Sequence, residues 1–317
     1  MPPPRARVLL AFAAIYIVWG STYLAIRYAV ETIPPFLMAG GRFVIAGAIL
    51  YAWTRARGAP RPSPRHWAAA ALLGALLLLA GNGALCWSER QVPSGVASLL
   101  LATIPIWMVL LDALRTHGTR LHARVVAGML IGMAGIALLV GPAHLWGSSR
   151  MNLSGAGVLI LSSFSWSLGS VLSHKVTLPR APLLAAAMEM LMGGFMLLVL
   201  ALLSGEMGQF HLHAVASRSL AGLVYLILAG SLLGFTAYIW LLRTVATARV
   251  ATYAFVNPAV AVFLGWALGR ETLTGRELLA SATIIAGVAL IITHRPSPSP
   301  FAPHTEGLPA PHGETGN

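Results

Sequence analysis

The sequence predicts an all-α membrane protein: ten transmembrane helices in two inverted five-helix repeats around a central cavity. Three observations lead there. The chain is 57% hydrophobic and 9% charged, with a mean hydropathy of +0.77, whereas a soluble domain of its size would need more charged surface to stay dispersed. Its apolar residues fall into ten runs separated by short breakers. It also repeats itself. Trp19, Pro35 and Gly47 recur as Trp166, Pro182 and Gly194 at an offset of 147. Gly81, Trp87, Arg90 and Pro105 recur as Gly234, Trp240, Arg243 and Pro258 at 153. Leu121, Arg124, Gly135, Ala137 and Leu138 recur as Leu273, Arg276, Gly287, Ala289 and Leu290 at 152. A duplicated, apolar chain of this kind is the pattern of a two-repeat membrane transporter.

A spanning helix needs about 20 apolar residues, and ten such runs lie at 8–28, 36–53, 67–88, 94–113, 124–141, 154–174, 183–203, 219–241, 249–268 and 276–293. The connections carry Pro34-Pro35, Pro60 to Pro64, Pro93, Pro142 and Pro179 to Pro182, residues that end helices. The first run is long enough to span and has no small-residue cleavage site behind a short core, so it is not a cleavable signal. Residues 8–141 form the first repeat and 154–293 the second. The tail 294–317 is rich in Pro, Ser, Gly and His and is expected to be a disordered cytoplasmic segment.

Basic residues set the direction. With the amino terminus inside, fourteen fall on the cytoplasmic side: Arg5, Arg7, Arg55, Arg57, Arg61, Arg65, Arg115, Arg120, Arg124, Lys175, Arg180, Arg243, Arg249 and Arg295. Seven fall outside: Arg27, Arg42, Arg90, Arg150, Arg218, Arg270 and Arg276. Both termini are therefore expected in the cytoplasm, and five spans per repeat make the repeats inverted. The net charge of +12 sits in loops between apolar runs, where lipid phosphate and topology explain it better than nucleic acid does. The single cysteine, Cys86, excludes an internal disulfide.

Two charges lie inside spans. Arg42 is about two turns into its run, roughly 9 Å deep at 1.5 Å per residue, and Glu189 occupies the equivalent place 147 residues later. Such charges cost about 2.5 kcal/mol or more unless they meet a cavity or a partner, so both are candidate cavity residues. The bland alternatives are snorkelling for Arg42 and a structural hydrogen bond for Glu189. They lie towards opposite faces, so no pairing between them is expected. A coupling proton is a candidate partner, carried by Glu189. Asn82 and Asn257 are amides near helix irregularities. Pro105 and Pro258 are expected to remove backbone hydrogen bonds in mid-span, making hinges or merely packed kinks. Trp19, Trp107, Trp166 and Tyr253 lie deep, where rings can line a cavity or pack against lipid and neighbours. Trp53, Trp67 and Trp146 are at span ends and read as interface anchors. Gly128 and Gly132, Gly230 and Gly234, and Gly265 and Gly269 are spaced for close helix contact. Span ten, with Gly287, is expected against lipid or a second protomer. The ten histidines fall in loops, tails or span ends, so no metal site is expected.

With its duplicated five-helix unit, Trp19-Gly20-Ser21-Thr22, the run from Pro34-Pro35 to Arg42-Phe43, Asn257-Pro258 and Gly269-Arg270-Glu271-Thr272-Leu273, the chain resembles the drug/metabolite transporter superfamily. The closest likeness within it is to EamA-type bacterial inner-membrane exporters related to amino-acid efflux permeases, over residues 8–293. The resemblance implies ten helices in two inverted repeats about a cavity, multi-pass insertion in the inner membrane, and export of small metabolites or amphipathic toxicants. The substrate-cavity candidates are then Trp19, Ser21, Thr22, Arg42, Asn82, Trp107, Trp166, Glu189, Tyr253 and Asn257.

The expected function is secondary export of small metabolites, amino acids first. No phosphate-binding loop is present, so the driving force is a gradient and no cofactor is implied. Efflux of lipophilic cations is the neighbouring alternative. It is weakened because no acid occurs between Val8 and Tyr28, although Glu189 or Asp112 could substitute. A phosphorylated sugar would need several buried cations, and only Arg42 is deep. An intramembrane enzyme would need paired acids, a metal motif or a nucleophile with a base, and the nine acids are scattered. Oligomeric state is left open by the sequence.

Overall fold

A computed structural model describes residues 5–92, 97, 100–114, 123–140, 153–269 and 274–293. The tail from 294, the loop with Trp146, and Arg115, Arg120, Arg150, Arg270 and Arg295 lie outside the described residues, as do the side chain of Asp112 and the packing of Gly265 and Gly269. The described residues are helical, with no strand among them. The principal helices are α1 (Arg5–Ala29), α2 (Pro35–Ala56), α3 (Pro64–Ser88), α4 (Ile104–Ala113), α5 (Ala123–Val140), α6 (Leu153–Leu172), α7 (Pro182–Leu203), α8 (Ser217–Leu242), α9 (Tyr253–Gly269) and α10 (Gly275–Thr293). Six of them, α1, α2, α3, α6, α7 and α8, are long and apolar enough to cross a membrane, and shorter apolar stretches occupy α5 and α10. Large apolar side chains such as Leu10, Ile17, Leu161, Phe195, Leu228 and Ile285 are exposed along these helices, a surface suited to lipid and costly in water.

Local chemistry sets the helix ends. α2 and α7 both begin with proline at the first helical position, Pro35 and Pro182, where the missing N–H costs nothing. Both are followed by a glycine with positive φ: Gly58 at 83° and Gly205 at 77°, a conformation that a side chain would oppose. These glycines are again 147 residues apart. α3 starts at Ser63, whose hydroxyl accepts from the His66 N–H at 3.3 Å while His66 Nδ1 accepts from the Ser63 N–H at 3.2 Å.

Packing joins the two halves reciprocally. The first helix of each half lies on the third helix of the other: α1 on α8 and α6 on α3. α1 also packs on α9, as α6 does on α4. α2 packs extensively against α7, and α5 against α10, so equivalent helices meet face to face. The first of these crossings is made at glycines. A Cβ on Gly47 would lie 3.0 Å from the Ala187 carbonyl oxygen, and one on Gly194 would lie 2.8 Å from the Val44 nitrogen. In the second, a Cβ on Gly287 would come 2.6 Å from the Gly128 oxygen and 2.7 Å from the Gly132 nitrogen. α10 thus buries its glycine face on α5 and exposes Leu278, Leu279 and Ile285, so the side of this helix left for lipid or a second protomer is the one opposite Gly287.

Two expectations about helix breaks change. Residues 102–103 form a turn and α4 starts at Ile104. Pro105 therefore lies in the first turn of a helix, where an N–H would have had no intrahelical partner, so it removes no mid-helix bond. Pro258 does lie inside α9, but the run around it is broken earlier, between a short helix at Thr247–Val250 and Tyr253. The sequence also gave no sign of π-helix. α3 widens into it over Gly74–Gly83 and α8 over Leu226–Phe235, equivalent places in the two halves. π-turns inside α-helices are frequent at functional sites.

Candidate functional site

The carbonyls loosened by the two π segments are met by side chains of the helices that pack on them. Trp19 Nε1 donates to the Gly230 oxygen at 3.1 Å. Ser162 Oγ donates to the Gly81 oxygen at 2.8 Å, and Ser165 Oγ to the Leu76 oxygen at 2.9 Å. The π segments are thereby pinned from the opposite half.

Between these helices lies a cavity that is open at its mouth, with about 620 Å³ of space unfilled by atoms when the open mouth is included. It occupies the C-terminal halves of α1 and α3 and the N-terminal half of α2. Trp19, Thr22, Arg42, Asn82, Trp166, Tyr253 and Asn257 line it together with Tyr23, Phe43, Leu85 and Phe235. Seven of the ten cavity candidates therefore meet at one place. The other three lie elsewhere. Ser21 Oγ donates to the Val18 oxygen and contacts the Tyr225 hydroxyl, both at 2.6 Å. Trp107 stacks edge-on against Phe164 at 5.4 Å, with its Nε1 buried and without a hydrogen-bond partner. Glu189 is fully buried in α7.

The closed end of the cavity is aromatic. Trp19 and Trp166 meet edge to face with centroids 5.7 Å apart. Tyr238 lies 5.0 Å from Trp19 and 5.4 Å from Trp166, and Tyr253 lies 5.0 Å from Trp19 and 5.7 Å from Tyr238. Pairs in such geometry contribute about 0.5–1.5 kcal/mol each beyond the area they bury. Trp166 Nε1 donates to the Tyr238 hydroxyl at 2.9 Å, and that hydroxyl is also bonded to Ser170 Oγ. Tyr238 is completely buried. The sequence reading passed over it, because one tyrosine in an apolar run carries no signal of its neighbours. Beneath this layer Tyr16 is bonded to Thr252 Oγ1 at 2.6 Å, and Ser163 is bonded to Thr103 at 2.9 Å in the equivalent helices. The Asn257 amide, oriented so that its nitrogen donates, reaches the Tyr16 and Tyr253 carbonyls at 3.2 and 3.0 Å; it braces α9 on α1 as well as facing the cavity.

The two charges differ in setting. Arg42 is 3% exposed. Its Nε donates to Ser231 Oγ at 2.7 Å, its guanidinium carbon lies 4.6 Å from the centre of the Phe43 ring, and its Nη1 has no hydrogen-bond partner. Both carboxylate oxygens of Glu189 are buried without a hydrogen-bond partner. Of the anchors expected at span ends, Trp53 is 44% exposed beneath the Arg57 guanidinium and Trp67 packs on Tyr51.

Comparison with known proteins gives a consistent picture. A family model described as the EamA-like transporter family matches residues 6–141 and again 153–293. The protein of Escherichia coli K12 named "Uncharacterized inner membrane transporter YedA" is 41% identical over 285 residues, 89% of either chain. A "Probable amino-acid metabolite efflux pump" of Salmonella typhimurium is 27% identical over 281 residues, 86% of this chain and 91% of that one. A solved structure of 23% identity shares the fold, with a TM-score of 0.75 over 91% of this chain and 98% of its own.

Proposed function

We propose, from the premise that the chain belongs to the EamA-like transporter family of the drug/metabolite transporter superfamily, that it exports small metabolites by alternating access, with amino acids and related amphipathic solutes as cargo. Membership makes it a membrane transporter and not an enzyme. The observation that carries the rest is a cavity walled by both halves, its aromatic lining drawn from both: Trp19 from the first, and Trp166 and Tyr253, backed by Tyr238, from the second.

In this reading the ten helices cross the membrane as two inverted repeats with both termini in the cytoplasm. The reciprocal packing of α1 on α8 and α6 on α3 supports it, as does the basic-residue distribution. The cavity then opens outward, and separation of Trp19 from Trp166 and Tyr238 would open the opposite end as the outer walls close. Pro105 and Pro258, which follow the breaks before α4 and before α9, are the proposed hinges. Glu189 is the proposed site of a coupling proton, since its carboxylate is buried and unpaired. The amino-acid cargo is supported by the name of the Salmonella relative. A guanidinium in the cavity wall opposes the lipophilic-cation alternative.

Transport in proteoliposomes decides between them, using a panel of labelled amino acids and cationic dyes with and without a proton gradient. Amino-acid transport stimulated by the gradient is expected, and Glu189→Gln should abolish the stimulation. Dye transport in place of amino-acid transport would overturn the cargo assignment.

A further inference from the structure

We infer that Arg42 is an anion anchor and that the cavity selects solutes with one carboxylate on an apolar body, the α-ammonium of an amino acid being dispensable; this rests on the cavity being the cargo site and deepens that reading. The guanidinium lines the cavity and is almost entirely out of water. A buried guanidinium needs a counter-charge or a full set of acceptors. The structure supplies one acceptor, Ser231 Oγ, and leaves Nη1 with none. Among the described residues no carboxylate forms an ion pair with it: Glu206 accepts from the Leu37 N–H at 2.9 Å, and Glu89 is not among the described lining residues.

The surroundings hold the group ready. Phe43 covers one face of the guanidinium plane. A Cβ on Gly230 would lie 3.1 Å from Nη2, so the glycine in the π segment of α8 leaves the space that the guanidinium fills. With Nε held by Ser231, the remaining N–H groups of the guanidinium are the donors that a carboxylate oxygen would meet. The other described lining residues favour a monocarboxylate over a phosphate, because Arg42 is the only cation among them and a dianion would keep one charge uncompensated. The aromatic part of the lining, Trp19, Trp166, Tyr253 and Phe235, takes an apolar or aromatic body. No carboxylate is present among the described lining residues to demand an ammonium.

The test is a titration of the purified full chain, followed by its tryptophan fluorescence, with 3-phenylpropanoate, 3-phenylpropanamide and inorganic phosphate. Wild type should bind the carboxylate roughly tenfold or more tightly than the amide, and phosphate should not compete. Arg42→Gln should bind both probes alike, and Arg42→Lys should restore part of the preference. Equal binding of the two probes by wild type, no binding of either, competition by phosphate, or a preference that survives in Arg42→Gln would each overturn the inference. Should Arg42→Gln not fold, the wild-type preference and its reduction in Arg42→Lys decide. L-Phenylalanine transport is scored separately: transport without carboxylate preference leaves the export reading standing and removes this one, and the converse removes only the amino-acid cargo.

Discussion

Around Arg42 the helices stand apart; around Glu189, 147 residues later, they are closed. The positions that line the cavity beside Arg42, namely Tyr23, Asn82 and Leu85, correspond by the same offsets to Ser170, Phe235 and Tyr238. In the second half these three are packed together, with Tyr238 hydrogen-bonded to Ser170 and Trp166. One helical plan therefore leaves Arg42 beside a chamber walled by both halves and Glu189 beside a packed layer, and side-chain volume and hydroxyl pairing differ at these three places.

That contrast can be broken most severely at Trp166. Trp166→Ala removes the ring shared by Trp19, Tyr238 and Phe235 and should cost about 4 kcal/mol. Its effect is expected as a lowered melting temperature in detergent and as thiol labelling of a cysteine placed at Ser170, a position now fully buried. Next comes the α5–α10 crossing. Gly287→Ala would place a Cβ against backbone rather than against a side chain that can turn away, so about 3 kcal/mol is expected, read as a loss of monodisperse protein in size-exclusion chromatography. Tyr238→Phe keeps the ring and removes the acceptor of Trp166 Nε1. About 1.5 kcal/mol is expected, visible as partial labelling at position 170 with the melting curve only slightly shifted. The smallest effect is a control on the glycines. A Cβ on Gly41 meets nothing within 4 Å, so Gly41→Ala should stabilise α2 by about 0.5–1 kcal/mol; a loss of stability there would show that the glycine contacts have been misjudged.

Helix positions were legible in the sequence wherever an element ends on chemistry. The proline starts of α2 and α7 could be read directly, and the glycine stops at Gly58 and Gly205 sit at the same offset for anyone who looks for them. The interior was harder. A helix that is apolar on every side gives no period from which to tell its faces, so Ser21 and Trp107 were grouped with Trp19 although their side chains turn away from the cavity. The π segments were invisible because they use the same apolar residues as ordinary helix, and only their carbonyl partners, Ser162, Ser165 and Trp19, reveal them. Arg42, Thr22, Asn82 and Asn257 could be picked out because polar groups are rare in such a chain. Tyr238 could not, because its role lies in what it touches.

The α2–α7 crossing has a mechanical consequence. At Gly47 and Gly194 the two helices meet through the Ala187, Leu191 and Val44 backbone with only the Leu191, Phe43 and Val44 side chains beside it, so in the proposed alternating-access cycle a swivel here would have few side chains to displace. The contact would then serve as a bearing, and a bulky residue at either glycine would act as grit in it even where the fold survived.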